Sequence, residues 1–185
     1  KPARKIELER IFLRALGDRN LDGADLSHVR LICNGAEPIS VELAEEFLEC
    51  LAARGLARKA MFPVYGLAEA SLAVTMPAPG SDFHWLSVDR RSLGPGQPFL
   101  PAAPQDRDGI RLMCVGRPIP HTSVKLVDDG GVEVAPGVVG HLLIKGANVT
   151  RGYYENPEAT AAAVGADGWV RTGDVALVHE GEYFI

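Results

Sequence analysis

The sequence predicts an α/β fold in which the end of a parallel α/β subdomain, residues 1–79, leads into a small distorted β-barrel subdomain, residues 110–185. Three observations carry this. Short apolar runs alternate with an amphipathic helix in the first part, a pattern that implies a parallel sheet covered by helices. After Ile110 the pattern is all β, short apolar strands separated by Gly-rich turns. Between them, residues 80–109 form an irregular, insertion-like connection punctuated by Pro79-Gly80, Gly94-Pro95-Gly96, Pro98, Pro101 and Pro104.

Composition narrows the function classes. With 46% hydrophobic and 23% charged residues, the 185-residue chain has enough apolar material for one sizeable core or two small ones. Its net charge of −5 and the lack of a Lys/Arg run argue against a nucleic-acid partner. No stretch of 18 apolar residues offers a membrane span, and no signal peptide is visible. Cys33, Cys50 and Cys114 are odd in number and lack Cys-x-x-Cys spacing, so reduced, mostly buried thiols in a cytoplasmic protein are expected. The chain opens without Met and stops inside an apolar run at Tyr183-Phe184-Ile185, which reads as an excised piece of a longer protein.

In order, Ile6, Ile11, Phe12, Leu13 and Leu16 share a helical stripe over residues 5–16, with Gly17 as a stop. Val29 to Cys33 reads as a buried strand ending at Asn34-Gly35. Pro38 and Ser40 introduce a helix over 41–54 with Ala44, Phe47, Leu48, Leu51 and Ala52 inward and Glu42, Glu45, Glu46 and Glu49 outward, ended by Gly55. Ala60 to Val64 is the next strand. At Tyr65-Gly66 a tight turn is expected to open a second helix with Glu69 in its first turn, where Gly66 permits close approach of a ligand and free N–H groups favour an anion. The same residues also suit an ordinary loop, with Glu69 complementing the helix dipole.

The remaining strands are expected at Ile110 to Val115, Ser123 to Val127, Val132 to Val134, His141 to Lys145, Trp169 to Thr172, Val175 to Val178 and Tyr183 to Ile185. Asp128-Asp129-Gly130-Gly131, Pro136-Gly137 and Glu180-Gly181 supply turns. Asn156-Pro157-Glu158 starts a short helix: Asn caps, Pro takes the first position and Glu meets the positive end. The five histidines show no ligand spacing and no partner acid, so surface or loop roles are expected.

Three blocks in order, Asn34-Gly35-Ala36-Glu37-Pro38, Tyr65-Gly66-Leu67-Ala68-Glu69-Ala70 and Arg171-Thr172-Gly173-Asp174, resemble the adenylate-forming superfamily of acyl-activating enzymes, and within it the fatty acyl-AMP ligases. The resemblance runs from about Leu26 to Ile185. It implies that Gly35, Ala36 and Glu37 pack on one face of adenine, that Tyr65 stacks on the other, and that Gly66, Leu67 and Ala68 continue the nucleotide site. It further implies that Asp174 accepts the ribose hydroxyls and that Glu69 is catalytic through Mg²⁺. Many relatives carry a polar residue two before this Tyr and a hydroxyl at the position of Ala68; Pro63 and Ala68 here leave those contacts to backbone groups, as in fatty acyl-AMP ligases. The block from Gly140 to Tyr154 resembles a structural strand and turn and is expected to carry no chemistry.

The implied reaction joins a fatty acid to ATP, with Mg²⁺, and passes the acyl group to an acyl carrier protein thiol. Coenzyme A as acceptor, or a non-catalytic nucleotide-binding scaffold, are the alternatives. The family's phosphate loop with its Lys is expected before this chain and the domain with the catalytic Lys after it, so the chain alone is expected to be inactive.

Overall fold

The structure, a computed structural model, describes residue 13, residues 23–103 and residues 106–185. The expected first helix, residues 5–16, lies outside the described residues except for Leu13, which packs on the first core cluster. Strand β1 (Ile32–Asn34) pairs in parallel with β2 (Met61–Pro63), Ile32 opposite Met61 and Asn34 opposite Pro63. Between them runs helix α1 (Val41–Ala52), whose N-cap Ser40 accepts a hydrogen bond from the Leu43 N–H at 3.2 Å. The helix buries Val41, Leu43, Ala44, Phe47, Leu48 and Leu51 and turns Glu42, Glu46 and Glu49 to solvent; it ends at Ala52, two residues sooner than expected, and Ala52 is exposed rather than inward. That is the stripe its 3.6-residue period dictates. Against it lie Met61, Phe83 and Met113.

The residues after Tyr65-Gly66 do not start a helix. Tyr65–Leu67 is strand β3, Ala68–Ala70 is a single 3-10 turn, and Leu72–Met76 is strand β4, antiparallel to β3. Ser71 at φ 51° and Leu72 at φ 93° reverse the chain between them. Good helix formers were overridden here by the β-branched, half-buried run that follows, Val74 and Thr75 being fully buried. β4 continues to a two-residue strand β7 (Arg117–Pro118).

β5 (Trp85–Asp89) pairs antiparallel with β6 (Gly109–Met113), so the Pro-rich stretch returns to a strand that it left. The last sheet runs in the order β11–β10–β9–β8, all antiparallel, with β8 at Thr122–Val127, β9 at Gly140–Gly146, β10 at Val170–His179 and β11 at Glu182–Phe184. It curls as a half-barrel around Val74, Val115, Leu126, Leu142, Ile144 and Ala176. Helix α2 (Pro157–Ala163) has the expected cap, the Asn156 side-chain oxygen accepting from the Ala159 N–H at 3.0 Å.

Three expectations are corrected. Val132 to Val134 is not a strand but one bridge, Glu133 to Val127. The two strands expected at 169–172 and 175–178 are one continuous β10, interrupted by a bulge between Arg171 and Val175. Cys33 and Cys50 are exposed rather than buried; Cys114 alone of the three is buried, and all three are free.

Candidate functional site

A cavity of about 370 Å³ opens where the end of β1, strand β3, the 3-10 turn and the middle of β10 meet. Ala36, Glu37, Tyr65, Gly66, Leu67, Ala68 and Asp174 all line it, with Val64, Val115 and Ile185 supplying apolar wall. Gly35 and Glu69 stand outside the lining. Residues 109 positions apart, Tyr65 and Asp174, are joined directly: the Tyr65 phenol donates to Asp174 Oδ2 at 2.6 Å.

The bulge in β10 is what aims Asp174. Thr172, Gly173 and Asp174 oppose Leu142 alone, because Arg171 pairs with Leu143 and Val175 with His141. Gly173, at φ 85°, makes the turn of backbone that this excess requires. Thr172 locks it, its hydroxyl donating to the Leu142 carbonyl at 2.9 Å and accepting the Asp174 N–H at 3.1 Å. The Asp174 carboxylate is therefore no turn-capping group. Its Oδ2 takes the Tyr65 phenol, and among the described residues no other side chain donates to it, so Oδ1 keeps its acceptor capacity toward the cavity.

Burial first, and then the hydrogen bond to Asp174, push the Tyr65 phenol well above the ordinary tyrosine range. It stays a neutral donor over the physiological range, with its ring half-buried against the second core cluster. That ring is a fixed apolar platform, the kind of surface on which a planar base stacks.

The two glycines have a different cause from the one their sequence suggests. A Cβ on Gly66 would lie 1.6 Å from the Leu72 carbonyl oxygen, and one on Gly35 2.5 Å from the Val64 carbonyl oxygen. Crossing backbone by itself forbids a side chain at both. The expected helix N-terminus also falls away as an anion site, since a single 3-10 turn follows Leu67. Ala36, by contrast, holds a left-handed conformation at φ 71° without glycine's freedom, and its small side chain faces the cavity rim.

Glu69 is half-buried at the turn, and its Oε1 accepts the Tyr153 phenol at 2.7 Å while its carbonyl accepts the Thr150 N–H at 2.7 Å. Among the described residues only one of its carboxylate oxygens accepts a hydrogen bond. The donor set suits a hard cation such as Mg²⁺, which takes one or two carboxylates and fills its octahedron from phosphate oxygens and water. Tyr153 belongs to the block expected to carry no chemistry; nothing in its spacing marks it, because the contact spans 84 residues. Asn148 was also missed. Its amide donates to the carbonyls of Ala70 and Ala73 at 3.0 Å each and accepts the Thr122 hydroxyl at 2.9 Å, tying the loop before α2 to the β3–β4 reversal. Four of the histidines, contrary to expectation, have a carboxylate within 4.0 Å: His28 with Asp25, His84 with Glu182, His141 with Asp129 and His179 with Glu180.

A parallel pair, a helix between its strands, and a half-barrel closing on the same cavity are the architecture of adenylate-forming enzymes. A sequence profile described as AMP-binding enzyme matches residues 8–154, and the chain belongs to that family. It is 36% identical over 187 residues to the long-chain-fatty-acid–AMP ligase FadD26 of Mycobacterium tuberculosis, covering 95% of this chain and 32% of the relative. It is also 36% identical to a 4-hydroxyphenylalkanoate adenylyltransferase of the same organism, with 95% and 30% coverage. Among solved structures it resembles the fatty acyl-adenylate ligases from E. coli and L. pneumophila with a TM-score of 0.85 at 30% identity, covering 95% of this chain and 32% of that one. A fatty acyl-adenylate ligase from L. pneumophila, solved with acyl adenylate and pyrophosphate, matches with a TM-score of 0.84 at 28% identity, with the same coverage. The chain thus spans about a third of the length of the proteins it matches.

Proposed function

We propose that this chain forms the adenosine-binding half of an enzyme that condenses a fatty acid with ATP to give a fatty acyl-adenylate and pyrophosphate, and then transfers the acyl group to the thiol of an acyl carrier protein. The observation that carries the reading is the convergence of Ala36, Tyr65 and Asp174 on one cavity from three distant segments. Adenine lies between the Ala36–Glu37 backbone and the Tyr65 ring, and Asp174 Oδ1 accepts a ribose hydroxyl. The fatty-acid specificity rests on the relatives at 36% identity, one of which is named for long-chain fatty acids.

In the first step the carboxylate of the fatty acid attacks the α-phosphorus of ATP and pyrophosphate leaves with the bond electrons. Mg²⁺, when bound, screens the charge that develops on the phosphate oxygens. Glu69 would hold the ion through its carboxylate, and Tyr153, bonded to Oε1, keeps that carboxylate in one orientation. Tyr65 and Asp174 act on position rather than on bonds. A buried phenol tied to the carboxylate fixes both the stacking ring and the ribose acceptor before nucleotide arrives, which reduces the ordering cost of binding.

Coenzyme A as acceptor is the competing reading, supported by 32% identity over 184 residues to a putative fatty-acid–CoA ligase. The full-length protein decides between them. Incubated with ATP, Mg²⁺ and a radiolabelled long-chain fatty acid, it is expected to accumulate acyl-adenylate and to label a phosphopantetheinylated carrier protein but not coenzyme A. Efficient acyl-CoA formation would overturn the acceptor assignment, and absence of acyl-adenylate would overturn the enzyme assignment.

A further inference from the structure

Outside the cavity, one cluster of side chains gathers nitrogen, sulfur and oxygen donors. His84 precedes β5, Cys114 follows β6, and Glu182 begins β11, so the cluster is assembled from three segments by sheet pairing. The Cys114 N–H donates to the His84 carbonyl at 2.9 Å, and Cys114 pairs across with Phe184, two residues from Glu182. His84 Nε2 stands 3.1 Å from Glu182 Oε2, and one donor atom from each of the three residues lies within 4.8 Å of the others.

The geometry points to a zinc site formed by His84 Nε2, Cys114 Sγ and Glu182 Oε2, with water in the fourth position. Bonds of about 2.0 to 2.3 Å in a tetrahedron set neighbouring donors roughly 3.3 to 3.8 Å apart, so side-chain adjustments of about 1 Å close the site. The donor chemistry selects the metal class. A thiolate with an imidazole suits zinc and disfavours Mg²⁺ or Ca²⁺, which require oxygen.

The surroundings fit as well. Cys114 is 3% exposed and forms the floor, while the His84 and Glu182 side chains, 53% and 26% exposed, leave an entry path. Arg117 Nε lies 4.0 Å from Glu182 Oε1, the other carboxylate oxygen, which leaves Oε2 for the metal. On binding, the Cys114 thiol gives its proton to solvent, and one thiolate and one carboxylate balance the double charge of the ion. The ion would sit on the reverse of the nucleotide cavity: the residues next to Cys114 and Phe184, Val115 and Ile185, are part of the cavity wall.

Cobalt is the probe, since a thiolate ligand gives it a charge-transfer band in the near ultraviolet and four-coordination gives intense visible bands. Full-length protein carrying Cys33→Ser and Cys50→Ser, which removes the two exposed thiols, is freed of metal with chelator and titrated with Co²⁺. One equivalent is expected to bind with both spectral features, and stoichiometric Zn²⁺ to displace it. Cys114→Ser is expected to abolish the charge-transfer band, and His84→Gln, at an exposed position, to weaken Co²⁺ binding by more than about tenfold. Absence of the band, or its persistence in Cys114→Ser, overturns the site. Should Cys114→Ser fail to fold by circular dichroism, unchanged affinity in His84→Gln overturns it equally.

Discussion

Removing the Asp174 carboxylate separates a ribose-binding role from a purely structural one, and the structure sets the magnitude. Two ribose bonds to this carboxylate would each contribute about 1.5 to 3 kcal/mol, but Oδ2 is already occupied by the Tyr65 phenol at 2.6 Å. Oδ1 has acceptor sites for both ribose hydroxyls, and because two bonds to one oxygen do not add fully the loss is at least that of one charge-assisted bond, about 1.5 to 3 kcal/mol, or roughly ten- to a hundredfold in affinity. Asp174→Ala also takes the acceptor from a half-buried phenol, which costs up to about 1 to 3 kcal/mol of folding stability and would blur the reading. Asp174→Asn is the cleaner change, because an amide oxygen still accepts from Tyr65 while the charge toward the ribose is gone. The assay is titration calorimetry of full-length wild type and Asp174→Asn with ATP and with 2′,3′-dideoxy-ATP, which has no ribose hydroxyls to donate. Wild type should lose about ten- to a hundredfold on going from ATP to the analogue, and the mutant much less. Equal losses in the two proteins would refute the assignment and leave Asp174 as the anchor of the Tyr65 phenol alone.

The other expectations are more local. Glu69→Gln, which retains an acceptor for Tyr153, should reduce Mg²⁺-dependent adenylation in the full-length enzyme at least about tenfold with the urea midpoint nearly unchanged; normal activity per folded molecule would remove Glu69 from the metal. Gly66→Ala should destabilise by about 3 kcal/mol or more, because its Cβ meets the Leu72 carbonyl, and a wild-type unfolding curve would show that β3 and β4 separate more easily than their contact implies. The Tyr65 phenol has a raised folded pKa, so its contribution to stability is complete below about pH 10, where the unfolded phenol titrates, and is lost as pH rises through the folded value. Denaturation midpoints should fall above about pH 10, and less steeply in Tyr65→Phe; identical slopes would argue against the buried hydrogen bond. Pyrophosphate exchange by the 185-residue chain alone should stay at background with ATP and fatty acid, since its sequence holds no phosphate loop; exchange proportional to its concentration would show that the catalytic groups lie elsewhere.

What could be read from the sequence was what depends on local period. The helix at Val41–Ala52, its Ser40 cap, the Asn156 cap and the parallel strands beside Asn34 and Pro63 all follow from patterns a few residues long. The second helix was misread because Leu67 to Leu72 favours a helix locally, whereas the chain is reversed by Ser71 and Leu72 at positive φ and held there by Asn148, 75 or more residues away. Seven of the nine residues expected at the nucleotide site do line one cavity, because the three blocks were recognised by their order and type. The Tyr65–Asp174, Glu69–Tyr153 and His84–Glu182 contacts were invisible: each joins segments whose adjacency only the tertiary fold creates.

The excess of residues in β10 also sets the phase of everything after it. Side chains on a strand alternate between faces, so the count of residues between Arg171 and Val175 decides whether Ala176 or Val175 points inward. With the count as it is, Ala176 is 3% exposed and Val175 37%. Deleting Gly173 would take one residue out of that count and exchange the two faces of Val175–His179, sending Ala176 and Leu177, which are buried in different core clusters, each to the other's side and breaking the packing of the half-barrel before any ligand is involved. The irregularity that presents a carboxylate to the cavity is therefore a frameshift in the language of the sheet. A uniformly paired strand of the same composition would carry Ala176 and Leu177 into each other's cores.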